Sequence, residues 1–180
     1  RPPRSTLFPY TTLFRSEALA ERLPRLTLIN AYGATETTSP TTIMPPGENA
    51  ARLDSIGQVV PYADMLVVDA EGKPVPPGST GEIWIKGPMV VPGYWGKPEA
   101  TSASFVDGYW RSGDVGSIDA EGFVRLYDRV KDMINRAGYK VYSAEVENVM
   151  SYHPGVLECA VVGRPDPVLG ERVQIGRAHV

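Results

Sequence analysis

Three textures of apolar and polar positions follow one another along this chain. Glu17–Leu23 (EALAERL) sets apolar residues at helical spacing among good helix formers, and Pro24 ends the run, so a short helix is predicted. Leu26–Asn30 predicts a short buried strand. Its C-terminal end delivers Tyr32–Glu36 into a loop, the position where open α/β sheets bind ligands. From Ile56 to Tyr127 the texture is β, with apolar pairs broken by turn signals at Ala70-Glu71-Gly72, Pro76-Pro77-Gly78 and Ala120-Glu121-Gly122. Asp69–Gly72 and Asp119–Gly122 share the string DAEG, and each reads as a hairpin turn with Gly at positive φ rather than as a repeat. After Tyr127 the texture changes. Ser143 is the predicted cap of a helix through Met150; Glu145 and Glu147 suit its positive end, and Val146, Val149 and Met150 share a face. His153-Pro154-Gly155 stops it, and Val156–Val162 predicts a strand opening a second small α/β unit. The domain boundary is therefore expected near Asp128–Lys131.

Composition narrows the function classes. With 180 residues, 42% of them hydrophobic, the chain can bury one core, or a part-domain and a smaller second one. A net charge of −3 with dispersed Lys and Arg gives no basic stripe, which argues against a polynucleotide partner. The one cysteine, Cys159, lies in an apolar run and reads as a buried structural thiol. Two histidines, His153 and His179, leave no material for a Ser-His-Asp triad or a His-rich metal site. No apolar run reaches membrane-spanning length, and Pro9 with its neighbouring threonines argues against a secretory signal in Leu7–Phe14. A cytoplasmic location is expected; oligomeric state is not encoded legibly. Arg1–Ser16 and Ile175–Val180 resemble translated sequencing-adapter oligonucleotide and are expected to stand outside the fold.

Several residues carry chemistry suited to a nucleotide. The Thr35 hydroxyl can hydrogen-bond a phosphate oxygen, and Glu36 is a hard carboxylate suited to Mg²⁺. Gly33 allows close approach of backbone to a reacting centre, and Tyr32 offers a flat ring. Asp114, after Ser112-Gly113, can accept hydrogen bonds from two ribose hydroxyls, and Arg129 supplies a fixed fork of donors. Taken alone, the first group is equally a polar loop after a strand, Gly113-Asp114 an ordinary turn, and Arg129 a surface charge. Tyr94, Trp95, Tyr109 and Trp110 read as core cover rather than a stacking platform. Glu145 and Glu147 read as helix-dipole and solvation chemistry, and Asp54, Asp64 and Asp69 lack Ca²⁺-ligand spacing.

Order decides between these readings. Tyr32-Gly33-Ala34-Thr35-Glu36, then Gly81-Glu82-Ile83-Trp84-Ile85-Lys86-Gly87, then Trp110-Arg111-Ser112-Gly113-Asp114, then Asp128-Arg129-Val130-Lys131-Asp132 together resemble the core motifs of the adenylate-forming superfamily. That superfamily contains acyl-CoA synthetases, nonribosomal-peptide adenylation domains and luciferases. The resemblance runs from about Glu17 to Val173.

It implies a mixed α/β (α+β) fold: the β-rich end of a large AMP-binding N-terminal domain over 17–127, a hinge at 128–131, and the start of a small α/β C-terminal domain over 132–174. It implies ATP, Mg²⁺ and CoA, with a small carboxylic acid as the other substrate. Asn30, Tyr32, Gly33, Ala34, Thr35, Asp114 and Arg129 are then expected to bind nucleotide, with Asn30 near the adenine edge. Thr35 and Glu36 take catalytic roles, Glu36 as the Mg²⁺ ligand. Lys131 falls where the family places a pivot, Gly138 and Tyr139 where it lines the pantetheine channel, and Gly33 and Ala34 beside the acyl group, with Thr38, Ser39 and Pro40 nearby.

Asp128 and Ser112 depart from the commoner Gly and Thr. The family's Ser/Thr/Gly-rich phosphate loop, expected before Glu17, and its catalytic Lys, expected after Val173, are not in this sequence. The expectation is an AMP-forming acid–CoA ligase fragment that does not form acyl-adenylate by itself. The alternatives are a carrier-protein-loading adenylation domain and a non-catalytic nucleotide-binding module.

Overall fold

The computed structural model describes residues 22–23, 26–27, 29–49, 51–52 and 54–179. They are mostly β-strand with two helices, in two units: the described residues up to Ser112 with Gly116–Leu126, and Gly113–Val115 with the described residues from Tyr127 on.

In the first unit, β1 (Ala31–Tyr32), β2 (Thr42–Ile43) and β3 (Gln58–Val59) form an antiparallel sheet in that order. A larger sheet runs β4 (Asp64–Val68), β5 (Gly81–Lys86), β7 (Tyr109–Ile118) and β6 (Phe105–Val106), with β8 (Val124–Arg129) also paired to β7. The alternation of β5 explains its place, because Ile83 and Ile85 point to one face and are fully buried while Glu82 and Trp84 take the other. Ile83 and Ile85 join Tyr32, Ile56, Met65, Val67, Trp110 and Val124 in one apolar core. The two DAEG turns use the same chemistry. Asp69 Oδ1 accepts the N–H groups of Glu71 and Lys73, and Asp119 Oδ1 those of Glu121 and Phe123.

The second unit holds a sheet in the order β10 (Tyr139–Val141), β9 (Ile134–Arg136), β12 (Gly170–His179), β11 (Val156–Asp166), antiparallel throughout. The β9–β10 hairpin turns on Ala137 and Gly138, with φ of 52° and 88°, the two left-handed residues of a tight two-residue loop. At the other hairpin Asp166 Oδ1 accepts the N–H groups of Val168 and Leu169.

Four expectations are corrected here, and one more cannot be compared. The Glu17–Leu23 helix lies largely outside the described residues. Leu26–Asn30 is not a buried strand. Leu26 and Ile29 are about half exposed, and the described residues of this run form no strand; the Leu26 N–H reaches the Leu23 carbonyl and the Asn30 carbonyl accepts the Met44 N–H. A helix, α1 (Pro98–Ser104), interrupts the β texture; it buries no residue, so it leaves no apolar period, and Pro98 at its first turn was its signal. The later helix, α2 (Ser143–Ser151), has Tyr142 rather than Ser143 at its cap position. Finally, Ile175–His179 continues β12, paired opposite Val156–Val161, because an antiparallel ladder satisfies backbone groups whatever side chains it carries.

Candidate functional site

The loop after β1 closes on itself. Thr37, fully buried, accepts the Ala34 N–H through its hydroxyl at 2.9 Å, and Ala34 and Ser39 carbonyls lie 3.0 and 3.1 Å from the same oxygen. Thr35–Thr37 form a single 3₁₀ turn, ended by Thr38 at φ 52°. A Cβ on Gly33 would lie 2.7 Å from the Ser39 carbonyl oxygen, so the loop's own fold-back already requires glycine there. Tyr32 differs from expectation more. It is 6% exposed and belongs to the core, because β1 pairing turns its ring inward, so that ring is no exposed stacking surface. Asn30 commits its amide N–H to the Ser55 carbonyl at 3.0 Å.

Thr35 and Ala34 sit at the surface of this turn, exposed and half-buried respectively, and no hydrogen bond engages the Thr35 hydroxyl among the described residues. Glu36 is half-buried. Its Oε1 accepts the Tyr94 hydroxyl at 2.9 Å, its backbone carbonyl accepts the Val91 N–H at 2.8 Å, and among the described residues it forms no ion pair. Next to it Thr38 donates to the Met89 carbonyl at 2.9 Å. Tyr94 in turn accepts the Trp110 indole N–H at 3.4 Å. The aromatic group predicted as core cover therefore splits. Trp110 is core, Tyr94 reaches the Glu36 carboxylate, and Trp95, in the turn closed by the Lys97 N–H on the Tyr94 carbonyl, is fully exposed. Tyr109 hydrogen-bonds Asp64, which with burial pushes its phenol up to about 12.

In the second unit the structure brings Asp114 and Arg129 together. Arg129 Nε donates to Asp114 Oδ1 at 2.9 Å, with the Asp114 side chain 8% exposed and that of Arg129 36%. Gly113-Asp114 is no turn: both lie inside β7, with Gly113 at φ 70° and its carbonyl accepting the Val130 N–H at 2.8 Å. Ser112, in the first unit, gives its hydroxyl to the Ile83 carbonyl at 2.7 Å and acts there as structure.

Asp128, which the sequence offers as the start of the hinge and as a departure from the motif, has a structural part that its position along the chain does not announce. Buried, it accepts the Arg129 N–H at 2.8 Å and the Ser143 hydroxyl at 3.0 Å, with the Ala144 N–H at 3.5 Å. It thus serves the first turn of α2 in the place predicted for Ser143. Burial first, then the neighbouring Tyr127, Glu145 and Asp128 charges, raises the Tyr142 phenol above its usual value. Glu147 is more than a solvated charge, since its Oε1 accepts the Val161 N–H at 2.8 Å and ties α2 to β11. Cys159 is half-buried and free; burial raises its thiol, and it donates to the Glu147 carbonyl at 3.3 Å.

Lys131 is exposed in a turn where the Asp132 and Met133 N–H groups both reach the Arg129 carbonyl at 3.0 Å. Gly138 and Tyr139 belong to the β9–β10 hairpin rather than to an open loop, with Tyr139 78% exposed and the Gly138 N–H on Asn135 Oδ1. Among the described residues no three His, Cys, Asp or Glu side chains cluster to hold a metal, and no helix is long and apolar enough to cross a membrane.

The AMP-binding enzyme family matches residues 15–95, and the AMP-binding enzyme C-terminal domain matches residues 145–175. The chain is 41% identical over 145 residues to a fatty acid–[acyl-carrier-protein] ligase, ScoC, of Streptomyces coeruleorubidus, covering 79% of this chain and 28% of that protein. It is 42% identical over 162 residues to a long-chain-fatty-acid–CoA ligase of Escherichia coli O6:H1, covering 88% and 29%. The chain thus spans less than a third of these curated relatives. Among solved structures it resembles o-succinylbenzoate CoA synthetase (MenE) of Bacillus subtilis in complex with its acyl-adenylate intermediate, at a TM-score of 0.83 and 32% identity, over 91% of this chain and 33% of that one. The same enzyme has been solved with ATP and magnesium ion, at a TM-score of 0.82 and 33% identity, covering 92% and 34%. With both the segment that carries Tyr32–Glu36 and most of the segment from α2 to β12 accounted for, the chain belongs to the AMP-binding enzyme family.

Proposed function

We propose that this chain is part of an AMP-forming carboxylic acid–CoA ligase. The enzyme would join an acid to ATP as acyl-AMP with release of pyrophosphate, then exchange AMP for the CoA thiol. The observation that carries the reading is the Asp114–Arg129 pair. A nearly buried carboxylate, oriented by a guanidinium, is a preorganised acceptor for the two adjacent hydroxyls of a ribose, and the guanidinium plane presents its donors to the same sugar.

The other residues take the roles that the family resemblance gives them, and their surroundings support several of these. The Thr35 hydroxyl, exposed at the turn, donates to a phosphate oxygen. Glu36 offers Oε2, a hard anionic oxygen, while Oε1 is held by Tyr94. One such oxygen fits Mg²⁺ bound together with ATP, because that ion keeps several waters and takes few protein carboxylates. When bound, the ion neutralises phosphate charge. Gly33 and Ala34 line the acyl side of the turn. Lys131, solvated in its turn, is the pivot between adenylation and thioester formation, and Gly138 and Tyr139 flank the incoming thiol.

The test is acid-dependent ATP–pyrophosphate exchange by the full-length protein of the parent gene. Exchange is expected with at least one carboxylic acid, and Asp114→Ala is expected to lower it about 10- to 100-fold, as for loss of hydrogen bonds to a charged group. Unchanged exchange in that variant defeats the ribose-clamp reading. The 180-residue chain alone is expected to show none. The 41% identity to a carrier-protein ligase supports a second reading, in which the thiol belongs to a carrier protein. Offering the same enzyme CoA or phosphopantetheinylated carrier separates the two.

A further inference from the structure

The geometry points to Tyr94 as a positioning residue that aims the Glu36 carboxylate at a divalent cation, an inference that rests on the ligase reading above. Hydrogen-bond direction is fixed by chemistry. The Trp110 indole can only donate, so the Tyr94 oxygen accepts from it, and the Tyr94 proton goes to Glu36 Oε1. Trp110 is 4% exposed within the core, and the Tyr94 ring stands edge-on to Phe105 at 5.7 Å, so the phenol is anchored from two sides. Its backbone N–H is held as well, by the Thr101 hydroxyl of α1 at 2.9 Å.

The segment Met89–Tyr94 grips the Glu36 turn at three points: Thr38 hydroxyl to Met89 carbonyl, Val91 N–H to Glu36 carbonyl, and Tyr94 hydroxyl to Glu36 carboxylate. A glutamate side chain free to rotate would lose rotamer entropy on taking a metal; one oxygen already fixed lowers that cost. The choice of partner matters too. A lysine or arginine would orient the carboxylate but cancel its charge. Tyrosine is neutral, and no cation pairs with Glu36 among the described residues, so the negative charge stays available at Oε2.

The experiment uses the full-length protein with Tyr94→Phe, which keeps the ring against Phe105, and Glu36→Gln as comparator. Binding of Mn²⁺–ATP is read by electron paramagnetic resonance, binding of metal-free AMP by calorimetry, and exchange activity against Mg²⁺ concentration. Tyr94→Phe is expected to weaken Mn²⁺–ATP about 3- to 10-fold and to raise half-saturating Mg²⁺ by a similar factor, the size of one hydrogen bond, with AMP binding unmoved. Unaltered Mn²⁺–ATP binding, or equal losses for Mn²⁺–ATP and metal-free AMP, overturns the positioning role. A Glu36→Gln variant that still binds Mn²⁺–ATP normally instead defeats the assignment of Glu36 as metal ligand, and this inference with it.

Discussion

The two units hold their candidate site residues by different means. In the first, Glu36 stands on a turn whose supports reach into an apolar core: Trp110, Ile83 and Ile85 are buried there, and Tyr94 links that core to the carboxylate. In the second, the buried apolar residues are few, Val115, Ile134, Ala144 and Val161, while Val149, Leu157 and Val168 are exposed. The Asp114–Arg129 pair has polar contacts beside it there, among them those of Asp128 to the Arg129 backbone and to Ser143. Packing resists displacement in every direction, whereas a hydrogen bond fixes one distance and one angle. The first arrangement holds its carboxylate by packing, and the second holds its pair by a few directional bonds.

The sharpest way to break this comparison is to cut each core. Ile83→Ala is expected to cost about 4 kcal/mol, near the upper range for a fully enclosed isoleucine, and Ile134→Ala about 2 kcal/mol, because its thinner surroundings can collapse or admit water. Denaturant unfolding with amide exchange in each unit reads both. Equal losses would mean the second unit is as well packed as the first.

Asp128→Ala comes next. It removes the acceptor at the start of α2 and is expected to cost about 1–2 kcal/mol, read as faster exchange at the Ala144 and Glu145 amides while amides of β5 stay protected. Asp128→Asn, which keeps one acceptor oxygen, should recover part of the loss.

Titration probes the same contrast without mutation. Burial raises the Asp119 carboxyl, but the Phe123 and Glu121 N–H groups and the Arg125 guanidinium outweigh it and hold the group below its ordinary value of 3.8. Asp166 is lowered by the Leu169 and Val168 N–H groups, with Arg172 adding to them. For a lowered carboxyl the stabilisation is present above 3.8 and disappears as pH falls through the folded value, so both turns should persist at pH 4 and loosen below their own midpoints. Tyr109 has the opposite sign. Its neutral form is favoured by the fold, so its contribution is full below pH 10 and is lost as pH climbs through about 12; Tyr109→Phe should remove that alkaline step. Carbon-detected carboxyl titrations and ultraviolet phenolate absorbance measure each.

The smallest effect is expected at the β9–β10 turn. Ala137 pays for a left-handed φ of 52°, and Ala137→Asn, which creates an Asn-Gly turn, should stabilise the second unit by about 0.5 kcal/mol. A lower melting temperature in that variant would show that the turn chemistry does not limit the hairpin.

Local determinants are legible in the sequence. The span of α2 agrees with its apolar face to within a residue, β11 begins at the predicted Val156, and the DAEG turns carry the side chain-to-backbone bonds that their aspartates offer. The candidate motifs were visible as strings, and the family they resemble is the family to which the chain belongs. Some details escaped for physical reasons. α1 buries nothing and so has no period to detect. Adjacent Tyr94 and Trp95 read alike in the sequence, yet a turn at Trp95 leaves that ring fully exposed, and only Tyr94 reaches the Glu36 carboxylate.

Charge types, turn chemistry and helix periodicity belong to the sequence itself, because each depends on residues within a turn or two of one another, and the order of the motifs is read directly along the chain. Which donor meets which acceptor was decided by the tertiary structure. Tyr94 lies 58 residues from Glu36, Arg129 lies 15 from Asp114, and Ser143 lies 15 from Asp128. Each meeting depends on strand register and loop closure, and a slip of one residue in a strand turns every side chain to the other face, so no local reading of residue types can assign the partners.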